Sequence, residues 1–235
     1  VLVAAAVCPH PPLLVPQVAG GAAAELDRLR AACAEAVRSL VEAGPDVLVV
    51  TGGDGSPASF PGDAAGSLRP WGPDVRVGPA GGEPVLPLSL TIGRWLLENA
   101  AGAPEGRLPL RFEAVAADAP TAECAALGRR LADSAGRVAL LVMGDGSARR
   151  VEKSPGYVHP DAVPYDDLLA AALGAGDSGA LLALDPARAA ELWVAGRAAF
   201  QVLAGAAHGA PPPAAELLRE DAPYGVGYFV ARWLW

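Results

Sequence analysis

The stretch Val1-Leu2-Val3-Ala4-Ala5-Ala6-Val7-Cys8-Pro9-His10-Pro11-Pro12 decides the fold. Residues 1–7 are uninterrupted apolar side chains closed by prolines, the pattern of a strand covered on both faces in a mostly parallel sheet. His10 stands between Pro9 and Pro11, which hold the backbone extended just beyond that strand. The chain has three histidines, and one fixed so rigidly at a strand end is a candidate ligand. The alternative is a histidine satisfied by backbone carbonyls.

Working outward, Leu26, Leu29, Cys33, Val37, Leu40 and Val41 recur at three- and four-residue spacing. This predicts an amphipathic helix over 22–43, stopped by Gly44-Pro45. Residues 46–51 (DVLVVT) predict a second buried strand running into Gly52-Gly53-Asp54-Gly55-Ser56. The Pro- and Gly-rich residues 57–87 predict a long loop with one short strand at 75–77. A helix over 90–100, a strand over 108–116 and a helix over 121–134 capped by Thr121 follow. The strand predicted at 137–143 ends, like the earlier one, in Gly-Asp-Gly-Ser, here Gly144 to Ser147. From about residue 160 the pattern is helical, over 165–173, 178–183 and 186–206, with Pro186 in a first turn. The aromatic segment 225–235 suits either a returning core strand or the contact of a homo-oligomer. Together these predict one α/β domain over 1–235, a mostly parallel central sheet between helical layers.

With 52% hydrophobic residues in 235, the chain can bury a sizeable core. Its net charge of -8 opposes nucleic acid and anionic membrane surfaces and favours a small-molecule or protein partner. No apolar run approaches the ~20 residues that span a bilayer. No charged leader with a cleavage site precedes the first strand, so the expectation is a cytoplasmic protein. Cys8, Cys33 and Cys124 lack the spacing of a disulfide framework or a metal knuckle and read as reduced, buried thiols.

In open parallel sheets, ligands bind where the carboxyl ends of strands converge. Three strand ends carry a candidate ligand: His10, Asp54 and Asp145. Glycines beside each Asp let backbone approach closely, while the Asp supplies a hard ligand or a proton acceptor. Alternatively, each Asp and Ser caps a following helix or shapes a turn. Neither GDGS copy matches a nucleotide-binding fingerprint, and no nucleophile elbow is present. His159 and Tyr157, in a Pro/Gly-rich loop, could swing over a strand-end site. His208 reads as exposed, and Glu152 as an ion-pair partner of Arg149, Arg150 or Lys153 on a loop.

These features in this order resemble the class III extradiol ring-cleavage dioxygenases of LigB type and the related Memo-like proteins. The resemblance rests on the strand leading to Pro9-His10-Pro11-Pro12-Leu13-Leu14, the two glycine-rich strand ends, and Glu191-Leu192-Trp193 on a late helix. It implies a three-layer α/β fold and a non-haem Fe(II) held by two histidines and a glutamate, with a further histidine as acid/base. Carried over by motif, His10 matches the first metal histidine and Glu191 the glutamate. Asp54 stands where the second histidine belongs, and Ser147-Ala148 where the family has Ser-His, so the acid/base imidazole is absent. Asp145 falls where the Memo-like branch carries an Asp.

The resemblance thus implies a metal site of His10, Asp54, Asp145 and Glu191, harder than the facial triad and less selective among Fe, Mn, Mg and Zn. Arg149 and Ser147 would meet the substrate, and His159 or Tyr157 would replace the lost acid/base, whose absence costs ~10²–10⁴ in rate. The expected function is a diverged dioxygenase homologue binding a metal, a small polar aromatic or a carboxylate. The alternatives are a non-catalytic binding protein on the same fold, holding no metal, and a metal-dependent hydrolase using Asp54 and Asp145.

Overall fold

The computed structural model describes residues 1–100, 108–207 and 211–235, so His208 lies outside the described residues. The first strand, β1 (Leu2–Cys8), is buried along its whole length. The short helix α1 (Pro16–Ala19) and a 3-10 turn follow, and then α2 (Asp27–Glu42). Helix α2 buries the predicted stripe Leu29, Cys33, Val37 and Leu40, and Gly44 adopts φ 62 just past its end, the left-handed conformation that suits a glycine stop.

The second strand, β2 (Val47–Asp54), carries the first glycine-rich turn at its end. The region predicted as a loop contains three short strands, β3 (Ala58–Pro61), β4 (Gly66–Ser67) and β5 (Arg76–Val77). The helix α3 (Leu88–Asn99), the strand β6 (Leu110–Ala116), the helix α4 (Thr121–Ala132) and the strand β7 (Val138–Met143) come next. Thr121 does not cap α4: Pro120 holds the cap position and no side chain bonds there.

The helical region begins with α5 (Ala162–Ala175) and α6 (Ser178–Leu182). The single helix predicted over 186–206 is two, α7 (Pro186–Glu191) and α8 (Arg197–Ala206). The reading of 160–235 as a helical end also needs correction, because β8 (Ala214–Asp221) and β9 (Tyr228–Leu234) return to the sheet. The aromatic segment is therefore a core strand.

The sheet has seven strands in the order β3-β6-β2-β7-β1-β9-β8. Strands β6, β2, β7 and β1 are mutually parallel, while β3, β9 and β8 each pair antiparallel to their inner neighbour. Alternate β1 residues feed two cores. Ala4, Ala6 and Cys8 pack with α2 and α3, whereas Ala5 and Val7 pack with residues of α4, α5 and α8. This is a three-layer α/β architecture with a mostly parallel central sheet. All three cysteines are free and buried, and among the described residues no helix is long and apolar enough to cross a membrane.

Helices α4 and α8 meet backbone to backbone. A Cβ on Gly128 would overlap the carbonyl of Val202, and one on Gly205 the carbonyl of Ala125. Gly205→Ala is expected to cost about 2–3 kcal/mol, the upper range of overpacking, in urea unfolding. A cost under about 0.5 kcal/mol, that of an ordinary surface change, would mean that the helices part freely.

Candidate functional site

Cys8 of β1 pairs with Met143 of β7, and Met143 pairs with Gly52 of β2. Three adjacent parallel strands therefore end level. His10, Asp145 and Asp54 each stand two residues beyond that row. Strand alternation directs all three to the face of Cys8 and Met143, toward α2 and α3.

Only two of the three meet. The His10 backbone N–H donates to Asp145 Oδ1 at 2.8 Å, and the His10 Nδ1 lies 3.6 Å from the same oxygen. That nitrogen is buried without a hydrogen-bond partner. Burial pushes the Asp145 carboxyl above the usual carboxylate range, and His10 beside it pulls it part of the way back. The Gly146 N–H donates to the Gly227 carbonyl at 2.7 Å and the Gly227 N–H to the Ser147 carbonyl at 3.0 Å, which brings the neighbouring Tyr228 within the field of Asp145. The Tyr228 phenol is raised by burial and then by the charge of Asp145. Asp54 is half-buried, and its side chain makes no hydrogen bond or ion pair among the described residues.

The remaining candidates gather elsewhere. Glu191, the last residue of α7, is exposed, and its carboxylate pairs with Arg188 and, at 3.3 Å, with His159 Nε2. Arg188 holds the carboxyl below its usual range, more than His159 does. The other His159 nitrogen accepts from the Asp161 N–H at 3.2 Å. Arg149 Nη1 donates to the Glu191 carbonyl at 2.9 Å, while Arg149 Nε is buried without a partner. Tyr157 is exposed.

The expected sites do not all form. The metal set of His10, Asp54, Asp145 and Glu191 is not assembled: among the described residues, no three His, Cys, Asp or Glu side chains stand close enough to share an ion. The residues present therefore do not fit the Fe(II) site that the resemblance implies. His159 has both ring nitrogens engaged, by Glu191 and by the Asp161 N–H, and Tyr157 is exposed. Ser147 is fully buried, its hydroxyl donating to the Leu192 carbonyl at 2.7 Å, so it braces the loop and has no free donor for a substrate. Arg149 clamps that same loop to α7, and Glu152 forms no ion pair among the described residues.

The glycine-rich turns have packing causes. No helix follows either one directly, so neither Asp is a helix cap. A Cβ on Gly52 would strike Ser89, and one on Gly146 or Gly227 would strike the Asp166 carboxylate. Asp166 was missed from sequence. It is fully buried, accepts from the Ser147 N–H at 2.8 Å and pairs with Arg150 at 2.9 Å. The signal was present: Asp166 shares a helical stripe with Ala162, Leu169, Ala170 and Leu173, all buried, where a carboxylate needs a buried partner.

Helix α7 ends in a second feature that sequence did not reveal. The Trp193 N–H bonds to the Ala190 carbonyl and the Val194 N–H to the Ala189 carbonyl, the paired bonds of a Schellman stop. Trp193 takes the left-handed position, at φ 55, where glycine is usual and a side chain costs about 1–2 kcal/mol. This stop breaks the helix predicted over 186–206.

Comparison with protein families and with curated proteins finds no match. Among solved structures, the chain is similar to the uncharacterized protein JW3007 from Escherichia coli K12, at 14% identity and a TM-score of 0.49, over 98% of this chain and 99% of that one. A likeness of this degree supplies no functional argument.

Burial raises the Asp166 carboxyl from 3.8 to about 6, against the opposing Ser147 N–H and Arg150. The folded state then binds the proton more tightly than the unfolded one. This stabilising contribution is full below about pH 4 and is lost as the pH rises through about 6. Relative to Asp166→Asn, the native protein is expected to lose about 2 kcal/mol of stability between pH 4 and pH 7 in urea titrations. A difference that does not vary with pH would contradict this.

Proposed function

We propose that this chain is a diverged member of the extradiol dioxygenase-like superfamily that binds a small hydroxyl-bearing molecule, such as a polar aromatic, at its strand ends without cleaving it. The observation that carries the reading is the His10–Asp145 pair. It occupies the level ends of β1 and β7 with one imidazole nitrogen buried and unpartnered, while Glu191 is committed to Arg188 and His159. A buried polar atom without a partner is costly and is relieved by a ligand group that bonds to it.

The charges favour one of the two ligand classes expected from sequence. Asp145 and Asp54 lie two residues past paired positions on neighbouring strands. Two carboxylates there repel a carboxylate ligand and accept hydrogen bonds from hydroxyl groups. Tyr228 adds an aromatic wall with a polar tip. Among the described residues, His159 has both ring nitrogens engaged, which leaves His10 itself as the histidine at the strand ends and favours binding over turnover.

Catechol is the simplest probe of this reading. It is expected to produce saturable shifts in the ring resonances of His10 and Tyr228 in heteronuclear NMR; followed on Tyr228, binding is expected to weaken tenfold or more in His10→Ala and in Asp145→Asn, about 1.4 kcal/mol. No catechol-dependent oxygen uptake is expected. Oxygen consumption with formation of a ring-opened product overturns the non-catalytic reading, and His10 resonances that ignore catechol overturn the site.

A further inference from the structure

The left-handed Trp193 lines a pocket of about 670 Å³, a size typical of small-molecule sites. The pocket lies in the layer of α7 and α8, and the side chains of His10, Asp145 and Asp54 do not line it. Its walls are mostly small apolar side chains, among them Ala148, Ala187 and Ala190, and Trp193 is 55% exposed. Two charged residues also line it, Arg197 and Asp118.

These two charges are not equivalent. Arg197 is 2% exposed. Its guanidinium bonds only to neutral acceptors, the carbonyls of Ala117 and Ala119 and the Gln201 side-chain oxygen, with a weaker contact to the Cys124 sulfur. No carboxylate lies within ion-pairing distance of it among the described residues. Asp118 is exposed at the rim, where water and salt screen it. A buried charge acts through a low effective dielectric and is stronger than a hydrated one at similar range. Arg149, which also bonds only to neutral groups, packs near the other side of Trp193, since a Cβ on Gly156 would touch both. Two arginines without a carboxylate partner among the described residues thus stand near the indole.

We propose that this pocket is a second, independent binding site for a small carboxylic acid with an apolar body. The body lies against Trp193 and the alanines, and the carboxylate answers the uncompensated charge of Arg197. The choice of residue at position 193 fits this role. Its backbone conformation favours glycine, so the indole is present despite the geometry of the helix stop.

Hexanoate, hexanol and hexylammonium share one chain length and differ in charge, so they separate body from head group. Followed by the indole N–H resonance of Trp193, hexanoate is expected to bind at least tenfold tighter than hexylammonium, with hexanol between them. Trp193→Gly relieves the left-handed backbone and is expected to keep or raise the urea midpoint while weakening hexanoate tenfold or more in titration calorimetry, which does not depend on the indole. Ala190→Leu, which fills the pocket from an exposed position, is expected to block it. His10→Ala is expected to leave hexanoate binding unchanged, which separates this site from the strand-end site. Absence of saturable hexanoate binding, a preference for hexylammonium, or indifference to Ala190→Leu overturns the proposal.

Discussion

The placement of β7 between β1 and β2 is the constraint on which the rest depends. Parallel pairing on both sides fixes Met143 level with Cys8 and with Gly52. A slip of one residue would turn every side chain of β7 to the opposite core. Burial on both faces prevents this, because Leu141 and Met143 fill one core while Leu140 and Val142 fill the other. His10 and Asp145 meet only because this register brings their two loops to the same height.

Beyond the strand ends, the loop after β7 is held by buried polar bonds. Asp166 and the Leu192 carbonyl both fasten Ser147, and Gly146 and Gly227 are small because the Asp166 carboxylate occupies the adjoining space. The Gly196 N–H bonds to the Asp145 carbonyl at 2.8 Å, so the Asp that meets His10 on one side of the sheet is tied on the other to the start of α8. A fully bonded polar network of this kind fixes a geometry that apolar packing alone leaves loose.

Much of the fold was legible in the sequence because its signals are local. The apolar run of β1, the Leu29–Cys33–Val37–Leu40 stripe of α2 and the two strands ending in glycine each declare themselves within ten or fifteen residues. Strand β8 did not, since it is an edge strand whose Glu216, Arg219, Glu220 and Asp221 break the apolar alternation, a common protection of exposed edges. The break between α7 and α8 was hidden because its left-handed residue is Trp193, where sequence rules look for Gly or Asn. That break also decides the site. With α7 ended, Glu191 lies beside its helical neighbour Arg188 and also beside His159, and the contact with His159 is one no local pattern announces. The approach of Tyr228 to Asp145 depends on bonds between Gly227 and the loop after β7, which lie far apart in sequence.

The strand-end pair and the separate Glu191 cluster support the central proposal, that His10 is half of a binding pair and not one member of a metal triad. A crystal structure of the protein grown anaerobically with manganese(II), with anomalous maps, tests this most directly. The account predicts His10 still against Asp145, Glu191 still on His159, and no ion ligated by His10 together with two carboxylates. An anomalous peak bound by His10 and two of Asp54, Asp145 and Glu191 would contradict it.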